Sequence, residues 1–308
     1  MSKNFKGNII LLIAAIIWGL AFVAQDKAAA TVPPFAVNAI RSYIGCFALV
    51  PVCAIISKKK GEKLIPQNKG DRNKLLLAGV VCGVMLTISA NLQQFGIAAY
   101  PESAAASARS GFITAMYVVL VPVFSLFLKK RTGLNVWVAV LLSVVGLYLL
   151  CFSGGIGGFY GGDLVVFGCA ISFAFHIISV DKLGSSVDPV KLSCIQFFVC
   201  ATLSAVLMFV FEKPSVSGIV TAMPYLLYIG VMSSGVAYTL QIVGQQYSKN
   251  PTVASIIMSL ESVFAALGGL LVGETLSLKE GMGCIIMFLA IIISQIDFKK
   301  KEENLCLE

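Results

Sequence analysis

Residues 1–152 and 163–298 carry the same pattern of five apolar runs, and this duplication constrains the fold more than any other feature of the chain. Trp18 to Lys27 aligns with Phe173 to Lys182 at an offset of 155, and both stretches end in Asp-Lys (Asp26-Lys27 and Asp181-Lys182). The same offset carries Pro34 onto Pro189 and Ile40-Arg41 onto Ile195-Gln196. Further on, Leu92-Gln93 followed by Gly96 recurs as Leu240-Gln241 followed by Gly244, and Pro101 recurs as Pro251. An odd number of crossings per copy forces the second copy to enter a bilayer from the opposite side, so an inverted repeat is expected.

With 58% hydrophobic and only 12% charged residues among 308, the chain would expose an apolar surface to water as a soluble globule. Ten apolar runs lie near 8–24, 35–57, 75–98, 103–128, 134–152, 163–180, 190–211, 222–246, 252–272 and 281–297. Each is long enough, as a helix, to cross about 30 Å of hydrocarbon. A barrel would need alternating polarity, which is missing. The fold class expected is an all-α membrane protein of ten transmembrane helices, built as two inverted five-helix repeats.

The net charge of +8 follows from topology. With a cytoplasmic N-terminus, 18 lysines and arginines fall on the inner side, the cluster Lys58 to Lys74 among them, against three outside (Lys27, Lys213 and Lys279). The positive-inside rule then puts both termini in the cytoplasm and the protein in the cytoplasmic membrane as a multi-pass protein, with the lipid bilayer as partner and no nucleic acid. Lys3 and Lys6 ahead of an apolar run also fit a signal peptide, but that run matches the internal sixth one, which argues that it is retained. Nine cysteines are scattered singly with no CxxC, so neither a metal site nor a cofactor is expected.

The domains expected are 1–152, a glycine-rich linker over 153–162, 163–298 and a cytoplasmic tail over 299–308. Loops leave no room for a soluble catalytic domain, and the linker glycines lack the spacing of a phosphate-binding loop. Pro51 and Pro122 fall inside runs two and four, where a missing N–H bends a helix, as gating points or as plain kinks. The small residues Ser103 to Ala108 let another helix approach closely, which predicts a central place for run four.

An ionisable group within a span faces protein or a water-filled cavity. Arg109 lies about 12 Å from one face and Glu261 about 15 Å from the other, at 1.5 Å per residue, so they share a depth near the midplane. Two readings stand for them. One is a buried salt bridge between the halves; the other has Arg109 taking a substrate carboxylate and Glu261 an amino group or a coupling proton. Arg41 reads as a snorkelling anchor or as a cavity residue, and its repeat counterpart Gln196 favours the cavity. His176, the single histidine, reads as a hydrogen-bonded structural residue or as part of a proton relay. Gln93 and Gln241 recur at one repeat position and suggest a shared cavity lining, with Asn38, Asn91 and Gln94 adding amides. Trp18, Tyr43, Tyr117 and Tyr238 supply candidate apolar walls.

Together, the strings Trp18-Gly19, Asn91 to Gly96, Gly111 to Thr114 with Val121-Pro122, Ser259 to Phe264 and Gly273-Glu274 resemble the EamA-type transporters of the drug/metabolite superfamily. The resemblance covers residues 8–297. It implies a carrier of small metabolites such as amino acids, often outward, with a central cavity lined by the first four spans of each repeat. It places Trp18, Gln93, Arg109, His176, Gln241 and Glu261 near the path and leaves Trp137 and Gln295 outside. The resulting expectation is a secondary active transporter, monomer or homodimer, moving small polar or zwitterionic molecules by alternating access, its repeats rocking about the midplane and the linker absorbing movement. A channel or lipid translocator is the alternative. An intramembrane enzyme is a further one, resting on Ala108-Arg109-Ser110-Gly111 with His176 as base.

Overall fold

The computed structural model describes residues 3–100, 106–128, 133–151, 160–248, 250–271 and 277–295. Among the described residues every regular element is helical and none is a strand. In the first half α1 (Lys3–Ala29), α2 (Pro34–Lys60) and α3 (Lys69–Ala98) are long single helices. After them α4 (Ala106–Ala115) and α5 (Tyr117–Phe127) form one interrupted rod, followed by α6 (Leu134–Cys151). In the second half α7 (Gly161–Leu183) and α8 (Pro189–Phe211) are again unbroken. There α9 (Val216–Tyr228) continues through a π-helical stretch, Ile229–Ala237, into α10 (Tyr238–Ser248). The half ends with the interrupted rod α11 (Pro251–Met258) and α12 (Glu261–Leu271), then α13 (Leu278–Gln295).

Among the described residues seven helical stretches are long and apolar enough to cross a membrane, and three further apolar helices, Leu134–Leu149, Pro251–Leu267 and Gly281–Ser294, are shorter. The protein is thus a multi-pass helical membrane protein. Of the glycine-rich segment 153–162, residues 153–159 lie outside the described residues, and Gly161 and Gly162 form the start of α7. The tail 299–308 and the side chains of 103–109, Arg109 included, also lie outside them.

Helix starts follow from local chemistry. Asp188 precedes Pro189 and accepts the Val190 and Lys191 N–H groups, and Asn250 precedes Pro251 and accepts those of Thr252 and Val253. In each case a side-chain oxygen satisfies orphan donors while proline fills a position whose N–H has no intrahelical partner. Gly61, at φ 68°, closes α2 in a left-handed conformation that a side chain would strain. Asp163 ties α7 to α3 by accepting the Tyr160 N–H at 3.0 Å and the Tyr100 hydroxyl at 2.7 Å.

The two halves exchange contacts. α3 packs on α7 and α10 on α1, while α2 packs on α8, α6 on α13, α4 on α12 and α5 on α11. The repeat counterparts Gly96 and Gly244 both sit at such crossings. A Cβ on Gly96 would run into the Val166 side chain, and one on Gly244 would lie 2.6 Å from Leu11 Cγ and 3.2 Å from the Gly7 carbonyl. Only a bare backbone lets these helices approach so closely.

The α2–α8 pair is joined at both ends. At one end the Glu212 carboxylate, just past α8, accepts the Phe35 and Ala36 N–H groups at the start of α2, each at 2.9 Å. A carboxylate there also meets the positive end of the helix dipole. At the other end Lys60 pairs with Asp188 at 3.2 Å, and Lys191 donates to Glu62 at 3.3 Å and to the Lys63 carbonyl at 3.1 Å. Pairs with one partner open to solvent, as in both cases here, contribute about 0–1 kcal/mol each, so they orient the ends more than they stabilise the fold.

Gly96→Leu and Gly244→Leu are each expected to destabilise the protein by about 1–3 kcal/mol through overpacking. Gly281→Leu, whose Cβ would meet nothing within 4 Å, is expected to leave stability close to wild type. Thermal unfolding in detergent compares the three.

Candidate functional site

A cavity with about 470 Å³ of atom-free space, its opening included, lies among helices of both halves. α1 presents Trp18, Phe22 and Gln25 to it, at a spacing of four and then three residues that puts all three on one helix face. Arg41 comes from α2 and Gln93 from α3, while Thr114 and Tyr117 flank the interruption between α4 and α5. The second half supplies Phe173 and Ile177 from α7, Ser233 from the π-helical stretch, Tyr238 and Gln241 from α10, and Met258 and Glu261 from either side of the α11–α12 interruption. Among the described residues none of the lining comes from α6, α8 or α13.

Both interruptions are local tightenings of the helix. Met116 N–H bonds to the Ile113 carbonyl at 3.1 Å, Leu260 N–H to Ile257 at 3.2 Å and Ser262 N–H to Ser259 at 3.3 Å, all to the third residue back. In the second half serine hydroxyls add to this. Ser255 Oγ bonds to the Thr252 carbonyl and Ser259 Oγ to that of Ile256, both at 2.8 Å, in competition with the regular helix ladder. Non-helical backbone at membrane depth is tolerated where it is buried in protein or borders a cavity, as here.

The interruptions deliver two side chains to each other. Tyr117, the first residue of α5, donates its hydroxyl to Glu261 Oε1, on the first residue of α12, at 3.0 Å. Glu261 is 5% exposed and Tyr117 4%. Arg41 is only 2% exposed, and its Nη1 donates to Gln25 Oε1 at 2.9 Å. The cation and the carboxylate of this cavity are therefore each held by a neutral neighbour. The expected partner of Glu261, Arg109, lies on α4 with its side chain outside the described residues.

Other residues singled out from the sequence fall into distinct places. Trp18, Gln93 and Gln241 line the cavity, with Gln93 Nε2 donating to Thr114 Oγ1 at 3.2 Å and Trp18 edge-on to Tyr238 at 4.8 Å. His176 stands one layer behind. It is fully buried, touches Tyr238 edge-on at 5.9 Å, and its Nε2 lies 3.2 Å from Gln196 Oε1. Ser110 is buried with no hydrogen-bond partner for its hydroxyl among the described residues, and His176 pairs with Gln196, so the two form no nucleophile–base pair. Asn38, Asn91 and Gln94 serve packing: Asn38 Nδ2 bonds to Asn91 Oδ1, Asn91 Nδ2 to Ser204, and Gln94 Nε2 to the Gln25 carbonyl. Tyr43 faces Thr202 and Phe47, away from the cavity. α2 runs through Pro51 without a break, and Pro122 lies within α5.

Gln25, Thr114 and Ser233 are lining residues that the sequence did not single out. For Gln25 a signal existed, since it shares a face with Trp18. Three buried polar atoms on lining residues have no partner among the described residues: Trp18 Nε1, Arg41 Nε and Gln241 Oε1. Two donors and an acceptor left unsatisfied in this way are costly unless water or a ligand meets them.

The EamA-like transporter family profile matches residues 5–152 and again 160–295. The chain belongs to this family. EamA-like relatives align over nearly all of it. An uncharacterized transporter of Archaeoglobus fulgidus is 29% identical over 293 residues, 94% of this chain and 86% of its own. The uncharacterized transporter YwfM of Bacillus subtilis is 28% identical over 298 residues, 94% of each. The uncharacterized inner membrane transporter YedA of Escherichia coli is 24% identical over 287 residues, 90% of this chain and 87% of that one. A solved crystal structure superposes with a TM-score of 0.76 at 17% identity, covering 94% of this chain and 98% of that one, which establishes a shared fold. The protein is thus a membrane transporter of the EamA-like family.

Tyr117→Phe removes the hydrogen bond that Glu261 receives. It is expected to lower stability by about 1–3 kcal/mol, the cost of leaving a buried acceptor without its donor, read as a drop in the unfolding temperature in detergent.

Proposed function

We propose that this protein is a secondary active transporter, working outward, for small polar or zwitterionic metabolites of the amino-acid class. The observation that carries the reading is the presence of Arg41 and Glu261 in the wall of one buried cavity, each held by a neutral neighbour. A guanidinium already oriented by Gln25 suits a substrate carboxylate, and a carboxylate held by Tyr117 suits an ammonium group or a coupling proton. The Trp18 and Tyr238 rings add a wall on which a cation also rests favourably. Gln93 and Gln241 supply amides, and Trp18 Nε1 and Gln241 Oε1 are a donor and an acceptor available to a bound polar molecule.

In this reading the ten apolar stretches are ten spans in two inverted repeats, 1–152 and 163–298, with both termini in the cytoplasm and the cytoplasmic membrane as the site of action. Access alternates as the repeats rock about the midplane. The exchange of contacts between counterpart helices supports an inverted pair, and the two interruptions in counterpart rods support a midplane site, the arrangement that discontinuous helices serve in other carriers. Arg109 belongs to the proposal by its position on α4, and His176 by its contact with Tyr238.

Counterflow in proteoliposomes tests the reading with labelled amino acids and amines. Wild type is expected to exchange at least one zwitterionic substrate saturably, and Arg41→Gln and Glu261→Gln, checked for folding by thermal unfolding, are each expected to lower exchange at least about tenfold. Exchange that persists in both folded variants would sink the assignment of the site. Ion current without saturation would make the protein a channel instead.

A further inference from the structure

α2 and α3 are both long and apolar enough to span a bilayer, so the connection between them lies at a membrane surface, whichever side that is. From position 58 to 74 the chain carries seven basic residues (Lys58, Lys59, Lys60, Lys63, Lys69, Arg72 and Lys74) against two acidic ones, Glu62 and Asp71. Lys60 is paired with Asp188. The other six basic residues are exposed, and no described carboxylate pairs with any of them.

The helix geometry sets the height of these charges. α3 has 30 residues and is about 45 Å long, some 15 Å more than the hydrocarbon core. Its buried positions begin at Leu75, and Leu76 and Leu77 beside it are exposed apolar residues. The turns from Lys69 to Lys74 therefore stand in the headgroup layer, directly above a lipid-facing surface. At the tip of the connection Leu64 and Ile65 are 46% and 65% exposed, immediately after Lys63. A basic segment carrying an exposed apolar tip is the composition that binds an anionic bilayer surface.

We propose that residues 58–74 form a binding surface for anionic phospholipid headgroups, in which the unpaired lysines and Arg72 hold lipid phosphates and Leu64 and Ile65 enter the acyl boundary. Each cation adds to the attraction, charge-assisted hydrogen bonds fix the phosphates, and the effect fades within a Debye length of the surface. A bound lipid here also steadies the opposite half, because Glu62 and the Lys63 carbonyl hold Lys191 at the start of α8. The inference does not depend on which substrate the cavity takes.

Native mass spectrometry of the full-length protein in an equimolar mixture of phosphatidylglycerol and phosphatidylcholine with the same acyl chains tests it. Wild type is expected to retain phosphatidylglycerol over phosphatidylcholine by at least about fivefold. The variant Lys58→Gln/Lys59→Gln/Lys63→Gln/Lys69→Gln, shown to be folded by its unfolding temperature in phosphatidylcholine micelles, is expected to fall within about twofold. If that variant does not purify folded, Lys69→Gln/Arg72→Gln, which leaves the α2–α8 contacts intact, is expected to lose at least about half of the preference. Equal retention by wild type, or an unchanged preference in the folded variants, overturns the proposal. Displacement of phosphatidylglycerol by excess inorganic phosphate as readily as by more phosphatidylglycerol overturns it too, because the site would then take free phosphate.

Discussion

Hydrocarbon accepts and donates no hydrogen bonds, and the rest of this structure depends on that constraint. It forces the backbone into helices that satisfy themselves, and it turns polar side chains inward, where Arg41, Glu261, Gln93 and Gln241 are each less than a tenth exposed. The two tightened turns near Met116 and Ser259–Leu260 both border the same cavity, so the breaks in the ladder and the cavity occupy one location.

The second determinant is the duplication. Counterpart helices meet across the molecule, α2 with α8 and α6 with α13, while α3 with α7 mirrors α10 with α1. The halves therefore interlock instead of standing side by side, and the cavity takes its walls from both. Among the described residues its charged groups come one from each half, Arg41 from the first and Glu261 from the second, and each is held by a residue of the first half, Gln25 or Tyr117.

Much of this was legible in the sequence. The ionisable and amide residues at membrane depth, Arg41, Glu261, Gln93 and Gln241, were readable because their cost in lipid leaves an interior place as the alternative. Gln25 was harder, since it sits beside Asp26 and Lys27 and looks like the polar end of a run. Thr114 and Ser233 carry hydroxyls that a helix satisfies anywhere on its surface, so their type says nothing of direction. The interruptions escaped for another reason. Sequence reading looks for prolines, yet α2 continues through Pro51, and neither interruption falls on a proline. The Tyr117–Glu261 bond joins residues far apart in the chain, and only the packing of two counterpart rods brings them within reach.

The fastening of α2 to α8 has a mechanical consequence. Glu212 at one end and Lys60 with Asp188 at the other leave this pair no free tip, and Cys46 Sγ reaching the Cys194 carbonyl at 3.4 Å ties its middle. Each of these contacts is weak alone, and what they set together is register, how far α2 can slide along α8. A helix held at both ends and along its length keeps one alignment with its neighbour, and α2 and α8 thereby join the two halves along a single seam.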